Sequence, residues 1–269
     1  MDDRLFQQLL NAFDLSWEGY RKVRKGVKKR IGRHMQQQGY RELSDYLSGL
    51  DRNPRAREEC ERLLTVSISR FFRDRHLWDI LEGRILPALV ENQPHELFAW
   101  SAGCACGEEV YSLKIVWDRL HLNHAPLPKL KITATDLNPA YIQKAETGIY
   151  TPGSLKGLPA DLKSDYFEPI PGQRRLAIKK FLKNHIDWKV RHLLNDPPER
   201  PFQIIFLRNN LLTYYQAHLK RKAFEKILHA LTAPGVLIIG SHEALPYLPP
   251  DMQPFPGYSY IFLKKGIPI

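Results

Sequence analysis

Apolar residues recur at helical spacing over the first 80 residues, and alternating strand-like runs do not interrupt them. Two series show the spacing: Leu5, Leu9, Phe13 and Val23, Val27, Ile31. Side chains three or four positions apart lie on one face of an α-helix, so this pattern predicts amphipathic helices. We therefore predict a helical N-terminal domain over residues 1–80.

The pattern changes near residue 97, where short apolar runs begin to alternate with amphipathic stretches. The apolar runs are 97–100, 130–135, 202–207, 236–240 and 258–263. Strands alternating with helices are typical of a parallel sheet with helices on its faces. We predict an α/β domain over residues 81–269. Apolar and basic residues alternate within it at about 170–192, which predicts a small antiparallel β-subdomain inserted there.

The composition narrows the class of protein. The chain has 269 residues, 43% of them hydrophobic, and a net charge of +11, which favours acidic partners such as nucleic acid, anionic membrane or a carboxylate-rich protein. No apolar run approaches the roughly 20 residues that cross a bilayer, and the start lacks a signal-peptide pattern, so we expect a cytoplasmic protein. Three cysteines, Cys60, Cys104 and Cys106, are too few for a four-thiolate zinc site, and we predict no metal. The close pair Cys104 and Cys106 is either redox-reactive or present because the loop requires small residues.

The loop after the first predicted strand, residues 101–109, lies where an open parallel sheet binds its ligand. Gly103 and Gly107 allow positive φ and a close backbone approach. The loop lacks the spacing of a dinucleotide fingerprint and the lysine of a phosphate loop. A cofactor with a sulfonium and an ammonium group suits it better, because Glu109 can pair with the ammonium group. The alternative is that Glu108 and Glu109 only cap the following helix.

Asp136 ends the second predicted strand, at the same edge of the sheet as Glu109. An acid in this position can accept hydrogen bonds from both hydroxyls of a ribose. Asp136 and the following Leu-Asn-Pro also form an ordinary N-cap sequence before a helix, so the residue alone does not decide between a binding and a capping role.

Five stretches together indicate one enzyme family. They are Ser67–Asp74, Trp100–Cys104 with Gly107–Ser112, Thr135–Leu137 with Ala145–Tyr150, Phe206–Asn209 and Gly240–Glu243. In this order they resemble the chemotaxis receptor methyltransferases of the CheR type, which methylate glutamate side chains of bacterial chemoreceptors. The resemblance spans nearly the whole chain. It implies an α/β, Rossmann-like S-adenosylmethionine-dependent methyltransferase domain, a helical N-terminal domain and a small antiparallel β-subdomain insertion.

The resemblance also implies the site residues. Those that line the cofactor pocket in the family correspond to Ser67, Ser69, Arg73, Glu109, Asp136, Asn195, Asp196, Arg208 and Asn209, and the loop pattern adds Gly103. Arg73 corresponds to the residue closest to methyl transfer, and we assign it the catalytic role. A guanidinium can hold a carboxylate in a fork geometry, and an already ionised carboxylate needs no general base. The alternative for Arg73 is a structural ion pair.

Several positions depart from the family pattern near the methyl acceptor. Thr213 stands where the family has a tyrosine near the transferred methyl group, so either Tyr214 or Tyr215 takes its place or catalysis is altered. Gln203 and Leu207 replace an aspartate and a cysteine. Ser67 and Ser69 stand where the first family motif has a threonine and an asparagine, which retains hydrogen bonding with a shorter reach. The residues that match the family pattern are Gly103, Gly107, Glu109, Asp136, Arg208 and Asn209, and we therefore expect the protein to bind the product S-adenosylhomocysteine.

Residues 21–33 hold eight basic residues and no acid. The pattern predicts a helix with an apolar stripe and a cationic face. In the resembled family this helix contacts glutamate-bearing receptor helices. The resemblance therefore implies a substrate-binding role for Arg21, Arg24, Lys25, Lys28 and Lys29. A solvated face or an RNA-binding face are the alternatives. We expect a protein-glutamate O-methyltransferase acting on an acidic helical region of a chemoreceptor-like protein; the alternatives are a non-catalytic cofactor-binding signalling module and an RNA methyltransferase.

Overall fold

A computed structural model describes residues 1–91, 95–123, 126–198 and 200–266. The α-helices are, in chain order, α1 Asp3–Asn11, α2 Trp17–Tyr20, α3 Arg24–Gln37, α4 Leu43–Arg52, α5 Pro54–Leu64, α6 Arg75–Ile80, α7 Leu86–Glu91, α8 Glu108–Asn123, α9 Pro139–Thr147, α10 Ala160–Tyr166, α11 Leu211–Tyr214 and α12 Ala217–His229. The strands are β1 Glu96–Ala102, β2 Lys129–Asp136, β3 Ile149–Tyr150, β4 Phe167–Pro169, β5 Leu176–Ile178, β6 Ile186–Val190, β7 Phe202–Leu207, β8 Leu231–Ile239, β9 Met252–Phe255 and β10 Tyr258–Lys264.

The chain divides into two compact units. The first comprises Met1–Val66 and Asn209–Lys222, and the second comprises Ser67–Arg208 and Ala223–Ile269. This division differs from the predicted boundary near residue 80. Residues 75–91 are helical, as their spacing indicates, yet their apolar side chains belong to the core under the sheet of the second unit. Helical periodicity shows which face of a helix is buried and does not show which core receives it.

The first unit is built from α1 to α5 and α11 around one apolar core. Leu9, Val27 and Ile31 are buried there, as their helical spacing predicts, whereas Leu5 is exposed. The helix predicted over residues 21–33 is confirmed from Arg24 onward as α3, whereas residues 21–23 form a turn after α2 ends at Tyr20. The Tyr20 hydroxyl donates to the Leu64 carbonyl over 2.9 Å, which fixes α2 independently of α3.

The second unit contains a seven-stranded sheet in the order β6-β2-β1-β7-β8-β10-β9. The first five strands are parallel, and β10 runs antiparallel to both β8 and β9. Buried side chains from β1, β2, β7 and β8 form the core with the helices of residues 75–91. The predicted α/β fold is thus confirmed. No helix of the described ranges is long and apolar enough to cross a membrane.

A small antiparallel sheet in the order β3-β5-β4 confirms the predicted β-subdomain, but its location differs from residues 170–192. Two of its strands, β3 and β4, precede that range. The prediction is wrong for β6, which pairs in parallel with β2 at the edge of the large sheet. An edge strand is partly exposed, so its apolar and polar residues alternate whether its neighbour is parallel or antiparallel.

Candidate functional site

The strand order of the large sheet reverses between β1 and β7, because the chain runs from β1 outward to β2 and β6 and then returns to the other side of β1. Ligands of open α/β sheets bind at such a switch point, beyond the carboxyl ends of the strands. The loop after β1 and Arg208 after β7 both lie at this edge, and Asp136 ends β2 beside them.

The loop after β1 has the close backbone geometry that its glycines predict. Gly103 and Gly107 both have a φ of 87°, and Ala105 has a φ of 50°. The amides of Gly103 and Cys104 donate to the Thr135 carbonyl over 2.8 and 2.9 Å. These bonds fold the loop across the end of β2, so its backbone lies close to Asp136.

Asp136 is held by backbone amides from both sides. Its Oδ2 accepts from the Ala105 amide over 3.0 Å and its Oδ1 from the Asn138 amide over 2.9 Å. The surrounding protein desolvates the carboxyl and raises the pKa of Asp136, while these amides oppose the rise. The side chain that caps α9 belongs to Asn138, which accepts from the Ala140 amide. Asp136 therefore does not act as that cap, and its carboxylate, with about four lone-pair sites, keeps capacity to accept from a ligand.

The two acids that open α8 bond to different segments. Glu109 accepts at Oε1 from the Ser101 hydroxyl over 2.7 Å and at Oε2 from Arg208 Nη1 over 2.9 Å. Glu108 is buried, and its Oε1 accepts from the Ser154 hydroxyl over 3.2 Å. Both side chains thus tie α8 to neighbouring segments in addition to favouring the positive end of the helix.

Arg208 carries a buried positive charge, with 3% of its side chain exposed. Its Nη2 lies 2.5 Å from Asp74 Oδ2 and donates to the Arg73 carbonyl over 3.2 Å. Within the described part of the chain, Arg208 Nε has no hydrogen-bond partner. Two carboxylates, Glu109 and Asp74, thus face one guanidinium. The surplus negative charge suits a cationic ligand such as a sulfonium with an ammonium group.

The segment from Ser67 to Asp74 approaches the same cluster. Arg73 Nη1 donates to the Ile68 carbonyl over 2.8 Å, and Trp78 Nε1 donates to the Arg73 carbonyl over 2.9 Å. Phe72 and Asp74, on either side of Arg73, have φ values of 50° and 60°. A left-handed backbone costs a non-glycine residue about 1–2 kcal/mol, and such strain persists where surrounding contacts hold it, typically at functional sites.

Four other predicted cofactor residues lie on two segments whose neighbouring residues, Arg73 and Arg191, contact this edge. Ser67 and Ser69 are partly buried at the start of the segment that leads to Arg73. Asn195 and Asp196 lie on the exposed loop after β6, where Asp196 pairs with Arg191 over 2.5 Å. That loop begins beside Asp136, since the Arg191 amide donates to the Asp136 carbonyl.

Asn209 follows Arg208 directly, belongs to the first unit and has a φ of 55°. Contacts within the second unit thus join Glu109, Arg208 and the Arg73 backbone, and Asp136 contacts the loop after β1 through the Ala105 amide. The sequence did not single out Asp74 and Ser101, although Asp74 ends the first family stretch.

The predicted substrate residues of the first unit differ in their surroundings. Arg24 and Lys28 both pair with Asp3, over 3.1 and 2.7 Å, and Arg21 pairs with Glu18. Lys25 and Lys29 are exposed.

In the same unit Tyr214 packs edge-on against Tyr20, with ring centroids 5.0 Å apart. This contact gives Tyr214 a packing role near Thr213. Across the described ranges, no group of three or more His, Cys, Asp or Glu side chains is arranged to hold a metal ion.

Comparison with known proteins identifies the family. Residues 67–261 match the family model described as "CheR methyltransferase, SAM binding domain". A chemotaxis protein methyltransferase of Listeria monocytogenes is 32% identical over 220 residues, 81% of each chain. Chemotaxis protein methyltransferase Cher2 of Pseudomonas putida is 30% identical over 234 residues, 84% of each chain. With this match and a site that suits a cationic cofactor, the chain belongs to the CheR methyltransferase family and is an S-adenosylmethionine-dependent methyltransferase.

Proposed function

We propose that this protein transfers the methyl group of S-adenosylmethionine to glutamate carboxylates of a chemoreceptor-like protein. The observation that carries the proposal is the cluster at the switch point, where Arg208 joins Glu109, in the first turn of α8, to the segment that bears Arg73. The relatives support the class of substrate, because they are named chemotaxis protein methyltransferases. The product of the cofactor is S-adenosylhomocysteine.

The acids of the second unit hold the cofactor in this proposal. Glu109 and Asp136 are both held by hydrogen bonds from the protein. A carboxylate has about four lone-pair sites, so both keep capacity to accept, from an ammonium group at Glu109 and from ribose at Asp136. When bound, S-adenosylmethionine supplies an electrophilic methyl group on a positive sulfonium. The surplus carboxylate of the Asp74–Arg208–Glu109 cluster attracts that charge. Gly103 has a positive φ and no side chain, so the cofactor can approach the backbone of the loop closely at this position.

Arg73 orients the acceptor. Its guanidinium can form two parallel hydrogen bonds with a glutamate carboxylate and hold one oxygen in line with the methyl group. A glutamate with an ordinary pKa of about 4.3 is ionised at neutral pH, so no residue has to remove a proton. Ser67, Ser69, Asn195, Asp196 and Asn209 complete the cofactor pocket by their correspondence with the family residues.

The basic residues of the first unit receive the acidic helical region of the substrate. Lys25 and Lys29 are exposed and available for long-range attraction, while Arg21, Arg24 and Lys28 contribute charge from existing ion pairs. Attraction between separated charges weakens as salt increases, since the Debye length is about 8 Å at physiological ionic strength. We therefore expect methylation to slow at high salt.

The decisive experiment incubates the protein with methyl-labelled cofactor and membranes that contain the cognate receptors. Label that appears on receptor and is released by mild base identifies a methyl ester. The variant Arg73→Ala should lose nearly all transfer while it remains folded. Arg70→Ala is the matched control, because Arg70 is an exposed arginine of the same segment and should retain activity.

Other outcomes of the same assay oppose the proposal. Label on nucleic acid would identify an RNA methyltransferase, and cofactor binding without transfer to protein or nucleic acid would identify a binding module. Full activity of Arg73→Ala would remove Arg73 from the catalytic role.

A further inference from the structure

A continuous chain of hydrogen bonds and ion pairs runs from Glu109, the proposed cofactor-binding acid, to the segment that carries Arg73. Ser101 donates to Glu109, Glu109 accepts from Arg208, and Arg208 reaches Asp74 and the Arg73 carbonyl. All of these residues lie in the second unit. The contacts therefore connect the end of β1, the start of α8 and the end of β7 to the strained turn at residues 72–74.

The geometry of Arg208 suits a connecting role. One terminal nitrogen, Nη1, is used by Glu109 and the other, Nη2, by Asp74 and the Arg73 carbonyl. With 3% of the side chain exposed, water hardly competes for these bonds. A guanidinium is planar and its donors have fixed directions, so a movement of Glu109 is transmitted to the opposite side of the group.

The segment around Arg73 depends on these contacts for its conformation. Phe72 and Asp74 both adopt left-handed φ values that non-glycine residues disfavour. The Phe72 amide donates to the Ser112 hydroxyl over 3.0 Å, and that hydroxyl donates to the Glu108 carbonyl on α8. Arg208 and Trp78 fix the carbonyl of Arg73 itself. Loss of the Asp74 contact removes the charged part of this restraint.

We propose that Asp74 and Arg208 are positioning residues that couple occupation of the cofactor site at Glu109 to the orientation of Arg73. The proposal rests on the proposed function, since it takes Glu109 as the acid that receives the cofactor ammonium group. Coupling between two sites is reciprocal: a cofactor that fixes Glu109 orders the Arg73 segment, and an ordered segment strengthens cofactor binding by the same factor.

The variant Asp74→Asn tests the link without touching Glu109. Asparagine keeps the size of the side chain and tolerates the left-handed backbone, but its amide carries no charge for Arg208. The matched control is Asp79→Asn, the same substitution at an exposed position of α6 whose partner is His76. Three quantities are measured on the full-length protein: the dissociation constant of S-adenosylhomocysteine, kcat for methyl transfer, and hydrogen–deuterium exchange of residues 68–78 with and without S-adenosylhomocysteine.

For Asp74→Asn we expect kcat to fall about tenfold, because small misplacements of positioning groups strongly reduce rates. The dissociation constant of S-adenosylhomocysteine should rise by the same factor by which the ligand protects residues 68–78 in the wild type, since the coupling is reciprocal. In the wild type and in Asp79→Asn, S-adenosylhomocysteine should slow exchange of both residues 68–78 and the loop 103–107. In Asp74→Asn it should slow exchange of the loop only. A merely structural role of Asp74 would lower stability and leave ligand-induced protection of residues 68–78 in place.

Wild-type kcat, or ligand-induced protection of residues 68–78, in Asp74→Asn would overturn the proposal. If Asp74→Asn does not fold, Arg208→Lys tests the link from its centre, because an ammonium group cannot bridge Glu109 and Asp74 in the same geometry; retained protection would then refute the coupling. Failure of the wild type to bind S-adenosylhomocysteine would contradict the proposed function instead, so the two failures are distinguishable.

Discussion

Gly107 offers the most direct test of the loop that precedes α8, through the substitution Gly107→Ala. A Cβ at this position would lie 2.9 Å from the Ala145 Cβ, 3.0 Å from Trp188 Cη2 and 3.1 Å from the Tyr150 hydroxyl, and φ is 87°. The left-handed backbone costs alanine about 1–2 kcal/mol. Overpacking of a filled interior adds about 1–3 kcal/mol. Together these effects should lower the free energy of unfolding by about 2–5 kcal/mol, out of the roughly 5–15 kcal/mol typical of a domain.

Chemical denaturation and thermal melting measure this change, and the matched control is Gly83→Ala. Gly83 is an exposed residue of the helical turn Leu81–Ile85 in the same unit, and its added Cβ meets nothing within 4 Å. This control should gain up to about 1 kcal/mol, since alanine favours helices. Gly107→Ala should melt at least about 4 °C lower than the wild type. Equal melting of Gly107→Ala and wild type would refute the close packing argued for the loop.

Three further predictions follow from buried polar groups. Affinity for S-adenosylhomocysteine should decrease as the pH is lowered, because protonated Asp136 no longer accepts a hydrogen bond from the ligand. The decrease should start at a higher pH than for an ordinary aspartate, since burial raises the pKa of Asp136. Calorimetric titrations that give the same affinity down to a pH of about 4.5 would contradict this. Burial raises the pKa of all three cysteine thiols, so iodoacetamide should label them at about pH 8 only after unfolding, and mass spectrometry that finds rapid native labelling would oppose it. Tyr46→Phe should lower the free energy of unfolding by about 1–3 kcal/mol, because it removes the 2.6 Å contact to buried His34; an unchanged denaturation midpoint would count against it.

The cluster at the switch point shows how a basic protein can bind a cationic cofactor. The net charge of +11 describes the whole chain, whereas the site itself places two carboxylates around one buried guanidinium. Electrostatic interactions at contact distance in a partly desolvated site exceed those of distant, screened charges. The local surplus of negative charge therefore suits a cationic ligand whatever the net charge of the chain, and in the proposed function the exposed lysines of the first unit attract the acidic partner.

Local patterns in the sequence were sufficient for much of this protein. Helical spacing places Val27 and Ile31 in a core, and the positions of Gly103 and Gly107 predict a loop with positive φ. These properties follow from the geometry of a few consecutive residues, which is the same in any protein. The family stretches likewise are readable from the chain alone.

Other features were decided only by the tertiary structure. The apolar–basic alternation at residues 172–192 predicts strands, yet β6 joins the parallel sheet beside β2, which lies far away in the chain. The contact of Arg208 with Glu109 and Asp74 spans 99 and 134 residues respectively. Such pairings depend on how whole elements pack and on which buried charges need partners. The spacing of apolar residues along the chain carries no information about them. The sequence by itself determined which segments alternate between strand and helix and the glycine loop after β1, and the packing of distant elements decided that Arg208 bonds to Glu109, to Asp74 and to the Arg73 carbonyl.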